Sequence, residues 1–283
     1  MKLGVSSYSY NSEIIKQSNF TQYRTIDAAK NQGFDAIEFV QLMPHNGMTK
    51  KEYARLLKEH AKERDIEISA YLVGAEMVQP DEASRKAEIK KVCEELDIAA
   101  ELGVKLFRHD VGGEAKGFDL YLPQMADSVR EITKYGESLG IKTMSENHGY
   151  VFQNGERMEK LVNAVNHPNY GLLCDIGNFL CLNEDPIPEI TRIAPYTIHV
   201  HAKDFLMNKK DICTENGRFY RSKCGTVLIP MPVNEGSVPV RQCIEILKNA
   251  GYDGYIDIEY EGELDCFKGI SRGYNNLKRI LDK

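Results

Sequence analysis

The sequence contains no apolar run long enough to cross a bilayer. Its first residues read as a strand that enters a loop, and the apolar region of a signal peptide is missing. The seven cysteines are scattered without a CxxC pair, which indicates reduced thiols and argues against a zinc knuckle or a disulfide framework. These absences predict a cytoplasmic protein that does not interact with a membrane.

The chain also lacks an excess of positive charge: it contains 36 Lys and Arg and 42 Asp and Glu, which gives a net charge of -6. Proteins that bind phosphate backbones usually present a basic face, so nucleic acid is not an expected partner. No GxGxxG motif follows the first predicted strand, which argues against a dinucleotide-binding fold. No Pro/Ser-rich linker or low-complexity segment divides the chain, and we expect a single domain over residues 1–283.

Short β-type segments alternate with longer amphipathic helical stretches along the whole chain. Between Arg85 and Leu102, for example, apolar residues recur at helical spacing and Gly103 follows as a stop signal. Eight such strands, joined by similar helix–glycine–strand connectors, predict one closed (β/α)8 TIM barrel in the α/β class. The predicted strands are 2–7, 35–40, 67–73, 104–110, 141–147, 171–176, 196–203 and 254–260.

Residues 204–236 interrupt this alternation as a long, polar, helix-poor segment after the seventh strand. Loops of this length inside a compact domain are usually functional or mobile. We expect a loop over the C-terminal face of the barrel, whose basic residues either bind a substrate phosphate or are simply solvated. Those residues are Lys209, Lys210, Arg218, Arg221 and Lys223.

The last four predicted strands end in polar residues that a purely structural strand does not need: Glu146, Asp175, His201 and Glu259. The carboxyl ends of barrel strands carry the active site, so these side chains meet on one rim and can bind a divalent cation. In the eighth strand, alternation directs Ile256 and Ile258 towards the helices and Glu259 inwards. His199 and His201 share a face, and His201, nearer the end of its strand, is the predicted ligand above a deeper, structural His199.

Four motifs around these residues resemble those of the xylose isomerase-like TIM-barrel superfamily, the sugar phosphate isomerases and epimerases that also include endonuclease IV. The motifs are Glu146-Asn-His-Gly, Asp175-Ile-Gly-Asn, His201-Ala-Lys-Asp, and Gly251-Tyr-Asp-Gly followed by Glu259. The resemblance extends from the first strand to the last helix. It implies that Glu146, Asp175, His201 and Glu259 are the metal ligands. It also implies that Glu146 and Glu259 act as acid/base catalysts, one removing a substrate proton and the other returning a proton to the opposite face.

The chain departs from the family at Asn178, where much of the family has His in the sixth-strand motif. The Asp-x-His pair that endonuclease IV needs is also absent between Asp204 and Gly236. A trinuclear zinc cluster therefore lacks ligands, which together with the negative charge makes a DNA-repair endonuclease a weaker alternative. Three carboxylates and one imidazole suit a single ion, with Mn²⁺ foremost and Mg²⁺, Co²⁺ or Zn²⁺ as alternatives.

A divalent ion held this way acts as a Lewis acid towards the oxygens of a hydroxyketone, and a nearby carboxylate removes the adjacent proton. The resulting enediolate leads to isomerisation or epimerisation of a small ketose or polyol-derived substrate, the predicted activity, or to dehydration of a sugar or inosose, the alternative. A non-catalytic barrel that serves as a sensor or a subunit is a third hypothesis. Relatives often form dimers or tetramers, so a homo-oligomer is also expected.

Five further residues are predicted to contact the substrate: His148, Asn178, Lys203, Glu38 and Tyr8. Simpler roles exist for most of them. His148 can cap its loop, Lys203 can pair with the following aspartate, and Tyr8 can pack within its loop. Glu38 can form a salt bridge inside the barrel. Residues 108–110, Arg-His-Asp, end the fourth strand, but alternation brings only some of them inwards and we assign them no role.

Overall fold

Eight parallel strands close into a barrel in the computed structural model, which describes residues 1–208 and 218–282, without the side chain at position 208. The strands are β1 (Lys2–Ser6), β2 (Ala36–Val40), β3 (Glu67–Val73), β4 (Leu106–His109), β5 (Lys142–Glu146), β6 (Tyr170–Asp175), β7 (Thr197–Ala202) and β11 (Tyr255–Ile258). Strand β1 pairs with both β2 and β11, which closes the barrel. The prediction of a TIM barrel is confirmed, and each predicted strand overlaps one barrel strand.

Helices surround the barrel and connect its strands. They are α1 (Asn11–Lys16), α2 (Gln22–Asn31), α3 (Lys50–Glu63), α4 (Glu82–Leu102), α5 (Phe118–Ser138), α6 (Gly155–Val165), α7 (Pro186–Ile193), α8 (Val240–Asn249) and α9 (Cys266–Leu281). Helix α4 begins where the Asp81 side chain accepts a hydrogen bond from the backbone N–H of Ser84, and it ends at Gly103 with a φ of 85°. Within the described ranges, no helix combines the length and the apolarity that a membrane crossing requires.

Apolar residues of the strands and of the helices pack into one large core. A smaller apolar cluster is formed by Ala70 and Leu72 of β3, Met144 of β5 and Leu173 of β6. Charged and polar residues are buried close to these strands as well, among them Glu38, His199 and Asp257. Buried charges require partners, and buried titratable groups cluster at functional sites, so this polar part of the barrel is a candidate functional site.

The prediction of a loop over 204–236 is wrong for part of this segment. Three short strands form an antiparallel sheet in the order β8-β10-β9: β8 (Asp204–Asn208), β9 (Tyr220–Arg221) and β10 (Val227–Met231). The sheet buries Phe205 and Leu228. Short strands embedded in polar sequence carry little periodicity, and the pairing of β8 with β10 joins residues 19 to 27 positions apart, so the local pattern does not reveal them.

This three-stranded sheet contacts the loops that follow β5 and β6. The hydroxyl of Tyr150 donates a hydrogen bond to the carbonyl of Arg221 (2.9 Å), and the backbone N–H of Lys223 donates to the carbonyl of Cys181 (2.8 Å). The sheet therefore lies beside the carboxyl ends of the barrel strands. The predicted basic residues Lys209 and Lys210 lie outside the described residues.

Candidate metal centre

The four predicted ligands come together at the carboxyl ends of β5, β6, β7 and β11. Each offers one carboxylate oxygen or imidazole nitrogen, and these atoms all lie within 4.8 Å of one another. Glu146, Asp175 and His201 are buried, and the side chain of Glu259 is 12% exposed. This group can hold a metal ion.

Asp175 is held by the backbone that turns after β6. Its Oδ1 accepts hydrogen bonds from the backbone N–H groups of Gly177 (2.8 Å) and Asn178 (3.1 Å). The side-chain amide of Asn147 bonds both the N–H and the carbonyl of Asp175, which fixes the end of the strand. The second carboxylate oxygen, Oδ2, is buried without a hydrogen-bond partner in the part of the chain that the structure describes, and it lies 3.4 Å from the Lys203 ammonium.

Glu146 is oriented by the buried guanidinium of Arg108. Nη2 of Arg108 lies 2.7 Å from Oε2 of Glu146 and 2.7 Å from Oδ1 of Asp110, while the amide of Asn178 donates to Oε1 of Glu146 (3.1 Å). Burial opposes the charge of Glu146, but Arg108, followed by His201, lowers the pKa of this carboxyl below its ordinary value. No local pattern in the sequence indicates this role, because Arg108 stands beside the polar His109 and Asp110 and its partner Glu146 belongs to another strand.

The two nitrogens of His201 face different surroundings. Nε2 lies 2.8 Å from Oε2 of Glu38. Nδ1 has no hydrogen-bond partner among the described residues and lies 3.8 Å from Oε1 of Glu146 and 3.7 Å from Oε2 of Glu259. Burial opposes protonation of this imidazole, but Glu38, Glu259 and Glu146 together raise its pKa well above the ordinary value. The three carboxylates thus attract positive charge to this point.

His199 and Glu38 lie within the barrel. Nε2 of His199 is 3.1 Å from Oε2 of Glu38 and 3.1 Å from Oδ2 of Asp257, and all three side chains are inaccessible to solvent. For Glu38, whose contact with the substrate stays a prediction, the structure shows the alternative role, a salt bridge inside the barrel. The physical reason is that β2 continues two residues beyond Glu38, to Val40, so that Glu38 is not at the rim.

Lys203 places its ammonium among the acidic groups. Nζ lies 2.5 Å from Oε2 of Glu259, 3.4 Å from Oδ2 of Asp175 and 3.5 Å from Oε1 of Glu261. Burial opposes its charge, but these carboxylates raise its pKa well above the ordinary value. Among the described residues, Lys203 does not pair with Asp204, which was its alternative role. The Asp204 carboxylate instead accepts hydrogen bonds from two backbone N–H groups after β10.

A cavity of about 230 Å³ opens beside the cluster. It is lined by four of the five residues predicted to contact a substrate: Tyr8, His148, Asn178 and Lys203. Tyr220 of β9 and Glu261 complete its polar wall. Nδ1 of His148 lies 3.3 Å from Oδ1 of Asp110, a contact that raises the pKa of this half-exposed imidazole. The cavity therefore presents cationic, acidic and hydroxyl groups to a small polar molecule.

A closed parallel barrel with this cluster at the carboxyl ends of its strands defines a TIM-barrel protein with a possible metal-binding site. Residues 26–280 match the sequence profile described as xylose isomerase-like TIM barrel, and the chain belongs to that family. The family contains sugar isomerases and epimerases, which confirms the resemblance seen in the four strand-end motifs.

Among curated relatives, inosose dehydratase of Clostridium perfringens is 23% identical over 305 aligned positions, covering 100% of this chain and 97% of the relative. Inosose dehydratase of Bacillus thuringiensis is 26% identical over 141 residues, 49% of this chain and 46% of the relative. With the Bacillus relatives, the chain thus matches about half of their length.

Two solved structures illustrate the likeness of the fold. The IOLI protein with a bound zinc atom superposes with a TM-score of 0.77 at 16% identity, covering 100% of this chain and 98% of that one. D-psicose 3-epimerase with D-tagatose, from Clostridium cellulolyticum, superposes with a TM-score of 0.75 at 17% identity, covering 99% of both chains. At these identities the comparison supports the fold and not a particular reaction.

Proposed function

We propose that the protein is a divalent-metal-dependent isomerase or epimerase that removes a proton beside the carbonyl of a small ketose or polyol-derived ketone. One observation carries this proposal. Nδ1 of His201 and Oδ2 of Asp175 are buried without hydrogen-bond partners and face the carboxylates of Glu146 and Glu259. Buried polar atoms are almost always partnered, so two unpartnered atoms among these carboxylates support a bound cation as their partner.

The donor set fits a divalent ion. Glu146, Asp175, His201 and Glu259 would hold it, and three carboxylates with one imidazole favour Mn²⁺, with Mg²⁺, Co²⁺ or Zn²⁺ as alternatives. When bound, such an ion supplies a Lewis acid that polarises a carbonyl and acidifies the neighbouring C–H. The ammonium of Lys203 remains close enough to balance the charge of Glu259 and Glu261.

Glu146 and Glu259 are the proposed acid/base residues. They belong to β5 and to the turn after β11, which are separated in the barrel by β6 and β7. They therefore approach the centre from two sides. Removal of a proton by one carboxylate and its return by the other, on the opposite face, gives an epimer; return at the neighbouring carbon gives an isomer.

The cavity supports a small polyhydroxylated substrate. Its volume of about 230 Å³ is suited to a monosaccharide-sized molecule, and its polar groups can bond hydroxyls from several directions. We assign His148, Asn178, Lys203 and Tyr8 to substrate binding on this basis. Asn178 also donates to Glu146, so it connects the substrate cavity to the proposed base.

Dehydration is the second candidate, and two observations favour it. Inosose dehydratase of Clostridium perfringens aligns with the entire chain. His148 borders the cavity, and because its contact with Asp110 raises its pKa, the imidazole is more readily protonated at neutral pH. An imidazolium there can donate a proton to a departing hydroxyl after the shared first step.

The test is proton exchange in D2O, followed by 1H NMR, with Mn²⁺-loaded protein and a panel of ketoses and inososes. We expect one substrate to lose the C–H signal beside its carbonyl, with an epimer, an isomer or a dehydrated product accumulating. Glu259→Gln should slow exchange about 10²–10⁴-fold, the usual contribution of a general base. Glu101→Gln removes an exposed carboxylate and is the matched control. Undiminished exchange in Glu259→Gln, or no exchange with any substrate, contradicts the proposal.

A further inference from the structure

Glu38 reaches across the interior of the barrel to both histidines of β7. It lies on β2, which is separated from β7 by β1 and β11. Its Oε2 is 2.8 Å from Nε2 of His201 and 3.1 Å from Nε2 of His199. All three side chains have no solvent exposure, and Glu38 is not among the residues that line the cavity.

The contact with Glu38 determines which nitrogen of His201 is available to a cation. An imidazole ligand binds through one nitrogen, and the proton on the other nitrogen is held by its hydrogen-bond acceptor. With Nε2–H donating to Glu38, Nδ1 is the nitrogen left over. Nδ1 is also the nitrogen without a partner, facing Glu146 and Glu259 at 3.8 and 3.7 Å.

We infer that Glu38 is a positioning residue, which fixes the tautomer and the ring orientation of His201 so that Nδ1 faces the cation. This inference rests on the proposed metal centre and assigns Glu38 no contact with the substrate. Removal of a carboxylate partner of this kind typically weakens metal binding about 10–100-fold.

His199 lies between Glu38 and a second buried carboxylate, Asp257. Nε2 of His199 is equally distant, at 3.1 Å, from Oε2 of Glu38 and Oδ2 of Asp257, and the hydroxyl of Ser69 donates to Asp257. Glu38 thus contacts both imidazoles, whereas of the two histidines Asp257 contacts His199, the one remote from the centre. Asp257 is therefore a matched control for Glu38, because both carboxylates are buried beside His199 and only that of Glu38 contacts His201.

Glu38, His199 and His201 also present a group of ligand-type atoms that can hold a metal. Both contacts with Oε2 of Glu38 lie at ordinary hydrogen-bond lengths; His201 supplies its own N–H donor, and His199 supplies an N–H that it shares with Asp257. A resident proton on each Nε2 explains this geometry without an ion. If Glu38 only positions His201, each chain binds one metal ion. If Glu38, His199 and His201 also bind an ion, each chain binds two.

Isothermal titration of chelator-treated protein with Mn²⁺ tests the inference. We expect wild type to bind one equivalent, Glu38→Gln to bind about 10–100-fold more weakly, and Asp257→Asn to keep the wild-type affinity. Unfolding followed by circular dichroism without metal verifies that each variant is folded. Wild-type affinity in Glu38→Gln, or equal weakening in both variants, overturns the inference while leaving the metal centre intact. Absence of Mn²⁺ binding in wild type removes the proposed function as well.

A second measurement needs no variant. 15N NMR of the Zn²⁺-loaded, histidine-labelled protein reports which nitrogen of His201 is protonated. A protonated Nε2 and an unprotonated Nδ1 support the positioning role of Glu38. The opposite tautomer, or a second Zn²⁺ bound through Nε2, refutes it.

Discussion

Replacing Arg108 by Met removes the guanidinium that lies 2.7 Å from both Glu146 and Asp110. Methionine retains the apolar length of the side chain, so the main loss is the charge. Arg108 is 6% exposed, and leaving the buried Glu146 and the partly exposed Asp110 without their cation is expected to cost about 3–5 kcal/mol of unfolding free energy. The matched control is Arg55→Met, which breaks an exposed, bidentate pair with Glu101 and should cost about 0.2–1 kcal/mol.

The assay is urea unfolding followed by circular dichroism without added metal, between pH 4 and pH 8. Burial raises and Arg108 lowers the pKa of Glu146, with a net decrease. A carboxyl whose pKa is lower in the folded state stabilises the fold above its unfolded pKa and loses that contribution as the pH falls. The difference between wild type and Arg108→Met should therefore narrow below about pH 4.5. A loss no larger than that of Arg55→Met, or one independent of pH, refutes the assignment of Arg108 as the partner of Glu146.

Two further predictions concern pH and metal removal. Burial lowers the pKa of His109 to about 4. Between pH 6.5 and pH 4 the unfolded chain therefore binds a proton at this residue that the folded chain does not bind, so the free energy of unfolding falls as the pH is lowered. His109→Gln should reduce the slope of this free energy against pH by up to about 1.4 kcal/mol per pH unit, and an unchanged slope in urea unfolding contradicts the prediction. Chelator treatment should lower the melting temperature, because an ion at about 100 times its Kd adds about 2.7 kcal/mol of stability. Returning Mn²⁺ should restore wild type but not Asp175→Asn, and equal recovery of both would place the ion elsewhere.

The barrel and its strand-end residues are predictable from the sequence because both follow from local patterns. Helical periodicity and terminal glycines determine the number and order of the elements. Alternation in β11 and β7 determines which side chains point inwards, and the geometry of a parallel barrel then brings their carboxyl ends together. Glu259 and His201 lie where this reasoning places them.

Depth in the barrel and contacts between distant residues are not predictable in this way. The tilt and stagger of strands decide which inward side chain lies at the rim, and Glu38 proves to be buried inside the barrel against both histidines of β7. The roles of Arg108 and Asp110 emerge only when β4 and β5 lie side by side, because their partners, Glu146 and His148, are about forty residues away in the sequence. The strands β8 and β10 likewise depend on pairing across a long segment.

The central claim is that one divalent ion is held by Glu146, Asp175, His201 and Glu259. Its most direct test is an anomalous difference map from crystals soaked in Mn²⁺, recorded near the manganese absorption edge. We expect one strong peak for each chain, in the space bounded by Nδ1 of His201, Oδ2 of Asp175 and the carboxylates of the two glutamates. No peak there, or a peak between Glu38 and His199 instead, would contradict it.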